Sequence, residues 1–317
     1  MSGGTESGAG EDRFVEVPAG PRLAYRTHGP DDGEPLLLIA GLSLDLTSWP
    51  ARLVDGFTAQ GFRVIRFDNR DAGRSTRIAA RPPGRMRQLF SRPCPDAYDL
   101  ADMAADTLGL LDALGIKRVH LVGMSMGGMI AQTLAARHPD RVATLTSIFS
   151  TTGNRRVGRP ALSTIAKLLA APPRTVEESV TGHIALLAHI GGTGFAPDEA
   201  EERAWARGLW ERTEGKRSGA QVARQIDAIR ASGDRTAELR RITAPTLVVH
   251  GDRDRMVHPS GGRATAAAIQ GAEHVEIAGM GHHLAPGVLR RLVGLTTELA
   301  RTHGAALAPV PATGEPV

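Results

Sequence analysis

A chain of 317 residues with 41% apolar side chains is long enough to bury one large α/β core, and its single cysteine, Cys94, excludes an intramolecular disulfide. The net charge is only +4, and Lys117, Lys167 and Lys216 are the only lysines. That arginine bias reads as GC-rich coding, and with no basic helix or aromatic-basic platform present, no nucleic-acid partner is expected. No apolar run reaches the roughly 18 residues of a membrane span, and Met1 to Glu11 lacks a positive region followed by an apolar stretch. A cytoplasmic location without membrane association is therefore expected.

In chain order, residues 1–12 are rich in Gly, Ser and Glu and read as a disordered tail, as do residues 304–317 with their repeated Pro and Ala. Pro35 to Ile39 is an apolar strand that runs into Ala40-Gly41-Leu42-Ser43. Phe62 to Phe67 is a second strand, followed by the turn Asp68-Asn69-Arg70-Asp71-Ala72-Gly73-Arg74-Ser75, which reads as scaffolding. Residues 77–98 hold Arg77, Arg81, Arg85, Arg87 and Arg92 beside Pro82, Pro83, Pro93 and Pro95. A solvated loop is expected there, with an anion-binding rim as the alternative. Asp99-Leu100-Ala101-Asp102 opens a helix with a capping-box start that runs to Leu114 and stops at Gly115.

The most informative stretch is Gly123-Met124-Ser125-Met126-Gly127-Gly128. It follows the β-rich run Arg118 to Val122 and opens the apolar-periodic helix Met129 to Arg137, the strand-turn-helix context of a nucleophile elbow. So sharp a turn forces its central residue toward positive φ, and glycine at 123 and 127 removes collisions with neighbouring backbone. The serine hydroxyl then stands exposed at a helix N-terminus, where free N–H groups favour negative charge. An ordinary Gly-rich turn with a serine cap is the bland reading.

A serine alone is a weak nucleophile and needs a base and an acid. Val142 to Phe149 is strand-like, as is Pro245 to Val249, and the roughly 90 residues between them far exceed an ordinary connection. Helical patterns at Ala161–Ala170, Val176–Ile190, Pro197–Arg212 and Gly219–Ala231 suggest a four-helix cap. His189, Trp205 and Trp210 either face a pocket there or pack the cap. His250-Gly251-Asp252-Arg253-Asp254 follows one strand, and Gly279-Met280-Gly281-His282-His283 follows another, Glu273 to Ile277.

In this Ser…Asp…His order the segments resemble the α/β-hydrolase superfamily over residues 13 to 303. The resemblance implies a mostly parallel central sheet flanked by helices, with core segments 13–153 and 242–303 and an inserted helical cap, 154–241. It makes Ser125 the nucleophile and, by the pattern Gly-x-x-Asp, Asp254 the acid; Asp252 is the runner-up, read as a loop-capping carboxylate. The alternative acid position, Ser150 to Asn154, holds no carboxylate. Gly-x-Gly-His selects His282 as base, leaving His283 beside it or exposed. The oxyanion donors implied are the backbone N–H groups of Met126 and Leu42. Ala40 stands where the superfamily more often has histidine, and Asp71 where it has glycine. Gly41, Met124 and Met280 are expected against the substrate in an apolar, adaptable inner pocket.

Serine at the elbow argues against the carboxylate-nucleophile chemistry of dehalogenases and epoxide hydrolases. The stretches Gly41-Leu42-Ser43, Asp68-Asn69-Arg70 and Gly123 to Gly128 resemble carboxylesterases, polyketide methylesterases and enol-lactone hydrolases. Cleavage of an ester or lactone of a small, largely apolar substrate through an acyl-enzyme is therefore expected, without a cofactor. Carbon–carbon hydrolysis or perhydrolysis by the same triad is the alternative, followed by a non-catalytic binding protein on this scaffold. A metal site from His250, Asp252, Asp254, His282 and His283 matches no compact ligand spacing. A homodimer is left open.

Overall fold

The computed structural model describes residues 10–18, 20–82, 84, 87, 93–168, 173–215 and 219–303. Residues 1–9 and 304–317 of the expected tails, together with Pro83, Arg85, Arg92, Leu169 and Ala170, lie outside the described residues.

Leu36 and Leu38 are buried with Val64 and Val122 on one sheet face, while Leu37 and Ile39 are buried with Ile65 and Leu121 on the other. This follows from the two-residue period of a strand, and an apolar run such as Leu36–Ile39 is what a strand covered on both faces requires. Among the described residues the strands are β1 (Arg13–Glu16), β2 (Arg22–His28), β3 (Glu34–Ile39), β4 (Phe62–Phe67), β5 (Val119–Met124), β6 (Val142–Ile148), β7 (Thr246–Gly251) and β8 (Glu273–Ile277). They form one sheet in the order β1-β2-β4-β3-β5-β6-β7-β8. The pairings of β2 with β1 and β4 are antiparallel, and all the others are parallel.

One face is covered by α1 (Ala51–Thr58) and by α10 (Pro286–His303), whose Val288, Leu289 and Leu292 join the core of Leu36 and Leu38. The other carries α2 (Leu100–Ala113), α3 (Met126–Arg137), α8 (Thr236–Leu239) and α9 (Ser260–Ala268). Helix α2 begins at the expected capping box: the Asp99 carboxylate accepts from the N–H groups of Ala101 and Asp102, and the Asp102 carboxylate accepts from the Asp99 N–H. Each such cap contributes about 1 kcal/mol.

Between β6 and α8 lies the insert, with α4 (Leu162–Leu168), α5 (Val176–Ile190), α6 (Glu199–Arg212) and α7 (Gly219–Ser232) at the four expected places. It is tied to the sheet by buried ions. Arg212, at the end of α6, reaches Asp45 at 2.6 Å, Asp68 at 2.8 Å and Asp12 at 3.0 Å. Asp12 falls within the expected disordered tail, but its side chain is 2% exposed and is also held by Arg26 and Arg74. Three guanidinium groups order this stretch where composition gives no hint of it. Asp71 sits at φ 63°, which accounts for glycine being usual there, and its carboxylate is held by Arg224 of α7, the Tyr98 hydroxyl and the Ile78 N–H. No helix among the described residues is long and apolar enough to cross a membrane.

Candidate active site

Strand β3 lies between β4 and β5, and its register pairs Ile39 with Gly123. The loops after β3 and β5 therefore leave the C-terminal edge of the sheet side by side, at the point where the strand order reverses and ligands collect in open α/β sheets. Ser125 follows β5 with φ 55° and ψ −121°, a strained conformation for a non-glycine residue. A side chain at Gly123 would collide with the Gly127 carbonyl, and one at Gly127 with the Ile39 carbonyl, so both glycines are steric requirements of the turn. The Ser125 N–H donates to the Ile148 carbonyl at 2.9 Å, and its carbonyl accepts from Met129 N–H at 3.2 Å and Ser150 Oγ–H at 2.8 Å. Met126 opens α3 rather than lying within it, so its N–H is one of the helix's free donors. The Met126 side chain is buried in the core.

The loop carrying Leu42 presses on this serine: a Cβ on Gly41 would stand 3.3 Å from Ser125 Cβ. Asn69 Nδ2–H donates to the Ala40 carbonyl at 3.1 Å. The Ser43 N–H donates to Gln225 Oε1 at 2.8 Å, and Gln225 Nε2–H donates to the Arg70 carbonyl at 2.9 Å. Gln225, fully buried on α7, is a residue that sequence reasoning missed; a glutamine inside a helix carries no motif that points to it.

Asp254 follows β7 and is 4% exposed. Its Oδ2 accepts from His282 Nδ1–H at 2.7 Å, and its Oδ1 accepts from the N–H groups of Met256 and Val257 at 2.8 Å each. His250 Nε2 lies 3.3 Å from the same Oδ2 and 2.8 Å from the Val257 carbonyl, so that nitrogen carries its proton. Burial alone would raise the Asp254 pKa, but His282 and His250 more than offset this and hold the carboxyl at about 2. An ionised carboxylate only accepts, so the His282 proton sits on Nδ1 and Nε2 is left to take another. Asp252 does something different: its Oδ1 accepts from the Gly279 N–H at 2.6 Å and braces the histidine loop.

Ser125 and His282 line one cavity of about 1070 Å³, together with Gly41, Leu42 and Met124. Phe149 also faces it and packs on the His282 ring, with centroids 4.3 Å apart. Met280 does not line it. A bridge between Met280 and Gly192, and close packing of Gly251 on the Met280 backbone, turn that side chain into the core, where it is 1% exposed. From the insert Trp205 lines the cavity, whereas His189 accepts from or donates to Thr164 Oγ1 at 3.0 Å, and neither it nor Trp210 is a lining residue. None of the described arginines of residues 77–98 lines it either. Among the described residues no group of three or more His, Cys, Asp or Glu is arranged to hold a metal ion.

Residues 34–285 match the family described as the alpha/beta hydrolase fold. The chain belongs to the α/β-hydrolase family. Rhodomycin D methylesterase DnrP of Streptomyces peucetius is 33% identical over 273 residues, covering 79% of this chain and 85% of that one. The crystal structure of the enol-lactonase from Burkholderia xenovorans LB400 superposes with a TM-score of 0.65 at 28% identity, over 91% of this chain and 98% of that one. A hydrolase from Pseudomonas aeruginosa PA01 gives a TM-score of 0.66 at 28% identity, over 94% and 100%.

In this α/β-hydrolase the insert also reaches the histidine loop. His283 Nε2 is 2.8 Å from Glu202 Oε1 on α6, and Glu202 Oε2 is 2.7 Å from His183 Nε2 on α5. All three line the cavity, and the His183 ring packs on Trp205 with centroids 4.7 Å apart. Burial would raise the Glu202 pKa, yet the two histidines hold its carboxyl at about 2. Motif reading stopped at His282; a helical Glu and His in a cap give no signal that they meet.

Proposed function

We propose that this protein is a serine hydrolase that cleaves a carboxylic ester, with Ser125 as nucleophile, His282 as base and Asp254 as acid. What carries the reading is the 2.7 Å hydrogen bond from His282 to a buried, ionised Asp254, in a cavity that also holds Ser125 on its strained turn. Ser125 Oγ attacks the carbonyl carbon while its proton passes to His282 Nε2. The N–H groups of Leu42 and Met126 take the oxyanion, each such donor being worth about 3–4 kcal/mol in acyl transfer. His282 then protonates the departing alcohol, and water, deprotonated by the same nitrogen, releases the acid from the acyl-enzyme.

A cavity of about 1070 Å³, just above the usual range for small-molecule sites, has room for a sizeable acyl or ring group. A bulky, mainly apolar acyl part fits that volume, and cleavage of an ester agrees with the methylesterase and enol-lactonase activities of the relatives. The four inserted helices serve as the cap over it, and the site of action is the cytoplasm. A fluorophosphonate probe should label Ser125, mapped by mass spectrometry, and abolish hydrolysis of methyl and aryl esters of bulky apolar acids. Labelling of another serine, turnover of a diketone in preference to the ester, or tight ligand binding without turnover would overturn the reading.

A further inference from the structure

The loop from Gly279 to His283 joins β8 to α10 and belongs to neither, so its shape depends on what else holds it. Much of that hold comes from the insert. The His282 N–H donates to the Ile190 carbonyl at 2.7 Å and the Gly281 N–H to the Gly191 carbonyl at 3.1 Å. The Gly279 carbonyl accepts from the N–H groups of Thr193 and Gly194 at 3.1 and 2.9 Å. A side chain on Gly192 or Gly281 would collide with the opposing backbone, so the end of α5 lies directly against the histidine loop.

Side chains add a second grip. His282 and His283 are consecutive, and each is bound by a carboxylate from a different part of the protein: Asp254 of the core for the first, Glu202 of the insert for the second. Because Glu202 is ionised, both of its histidine partners donate to it from Nε2, and His183 adds α5 to the same cluster. The Glu202 and His283 side chains are 18% and 14% exposed, so water screens this pair little. Helices α5 and α6, which supply His183 and Glu202, are also cavity walls.

We infer that Glu202 is a positioning residue: through His283 it fixes the loop that aims His282 at Ser125, and it thereby couples the helices around the substrate to the base. This rests on the reading of His282 as the base. A misplacement of about 1 Å in a reacting group can cost a hundredfold in rate, which is the scale on which a slackened loop should be felt.

The test is Glu202→Gln, His283→Gln and the double variant, with three readouts: the rate of Ser125 phosphonylation by a fluorophosphonate, kcat and KM for p-nitrophenyl acetate, and the low-field proton resonance of His282 Nδ1–H. The small ester barely fills the cavity, so contacts to a bulky substrate do not enter. Each single variant should lose about ten- to a hundredfold in phosphonylation rate and kcat, with KM changed less than twofold. The resonance should shift or broaden, and the double variant should be no worse than either single, as expected for residues acting in series. Wild-type rates with an unmoved resonance, even at a lowered Tm, would make Glu202 merely structural and overturn the inference. So would a loss that appears only as a raised KM for bulky esters, or full additivity in the double variant. If the wild-type protein neither reacts with the probe nor hydrolyses the ester, the hydrolase reading fails instead; the resonance, which needs no substrate, still decides whether Glu202 sets the histidine loop.

Discussion

Arg212 on α6 ends 2.8 Å from Asp68 at the foot of β4, and this contact joins the insert to the turn that follows the sheet's fourth strand. Asp45 and Asp12 crowd the same guanidinium, which raises the Arg212 pKa further despite burial. One cation is thus shared by three carboxylates. For Asp68, burial and the neighbouring Asp45 outweigh Arg212 and push the carboxyl up to about 6.

Removing Arg212 should be severe. Arg212→Ala leaves those carboxylates buried without their shared partner, and breaking a buried ion pair on one side costs about 3–5 kcal/mol. Urea unfolding should show a loss of that size. Arg212→Lys keeps the charge but not the planar fork, and should recover only part of it.

Ser125→Ala and His282→Ala should each lower kcat by about 10⁴-fold or more, with the double variant little worse, because triad members act as a unit. Asp254→Asn should lose about 10⁴-fold with the fold intact, as His282 would no longer be held in its working tautomer. Asp252→Asn should lose far less, because Asp252 bonds the Gly279 N–H and not the imidazole. A dead Asp252 variant beside a nearly normal Asp254 variant would reverse the assignment of the acid.

Anionic esters should be poor substrates. The described cavity lining carries Glu177, Glu178, Asp198, Glu201 and Glu202 and no lysine or arginine. Measured against neutral analogues of equal size, carboxylated esters should show a lower kcat/KM at low salt, the gap narrowing as ionic strength rises. A salt-sensitive preference for the anionic esters would instead restore the arginine-rich stretch, residues 77–98, as a binding rim.

Acid stability should have two phases. Asp254 and Glu202 are depressed to about 2 in the folded protein, so the stabilisation they supply is full above their unfolded values, near 4, and is lost as pH falls toward 2. Asp68 has the opposite sign: raised to about 6, it binds a proton more readily folded than unfolded, and its cost is relieved as pH falls from 7 toward 4. His28 works against that relief: burial and Arg66 hold its imidazole down at about 4, so the fold loses stability as pH falls below about 6.5. Tm should therefore decline gently between pH 7 and 5 and fall steeply below 4. Glu202→Gln should flatten the steep part, which differential scanning calorimetry across that range will show.

Residues whose role is steric or local were legible in the sequence. Gly123, Ser125 and Gly127 announce the elbow because only glycine fits two of those positions, and the Asp99–Asp102 cap writes itself in a four-residue pattern. The pairs that meet across long separations were not. Nothing local distinguishes Asp12 from any acidic residue near a terminus, Gln225 from a helical surface glutamine, or Glu202 from the other glutamates of α6. Met280 was misplaced for a related reason: motif spacing puts it beside His282, but backbone packing against Gly192 and Gly251 decides which way its side chain turns.

The insert interrupts the sheet between β6 and β7, neighbours that pair through Leu145 with Thr246 and on to Ile148 with Val249. The turn of Ser125, the proposed nucleophile, lies wholly before that interruption, and Asp254 and His282, the proposed acid and base, lie wholly after it. During refolding, the first six strands can assemble Ser125 on its turn before the proposed base, His282, has arrived. Closing a loop of this length costs only a few tenths of a kcal/mol more than closing one somewhat shorter, but contacts so distant in sequence form late and slowly. A refolding chain should thus regain most of its sheet signal before it regains reactivity at Ser125, and the lag between the two measures how long the nucleophile waits for its partners.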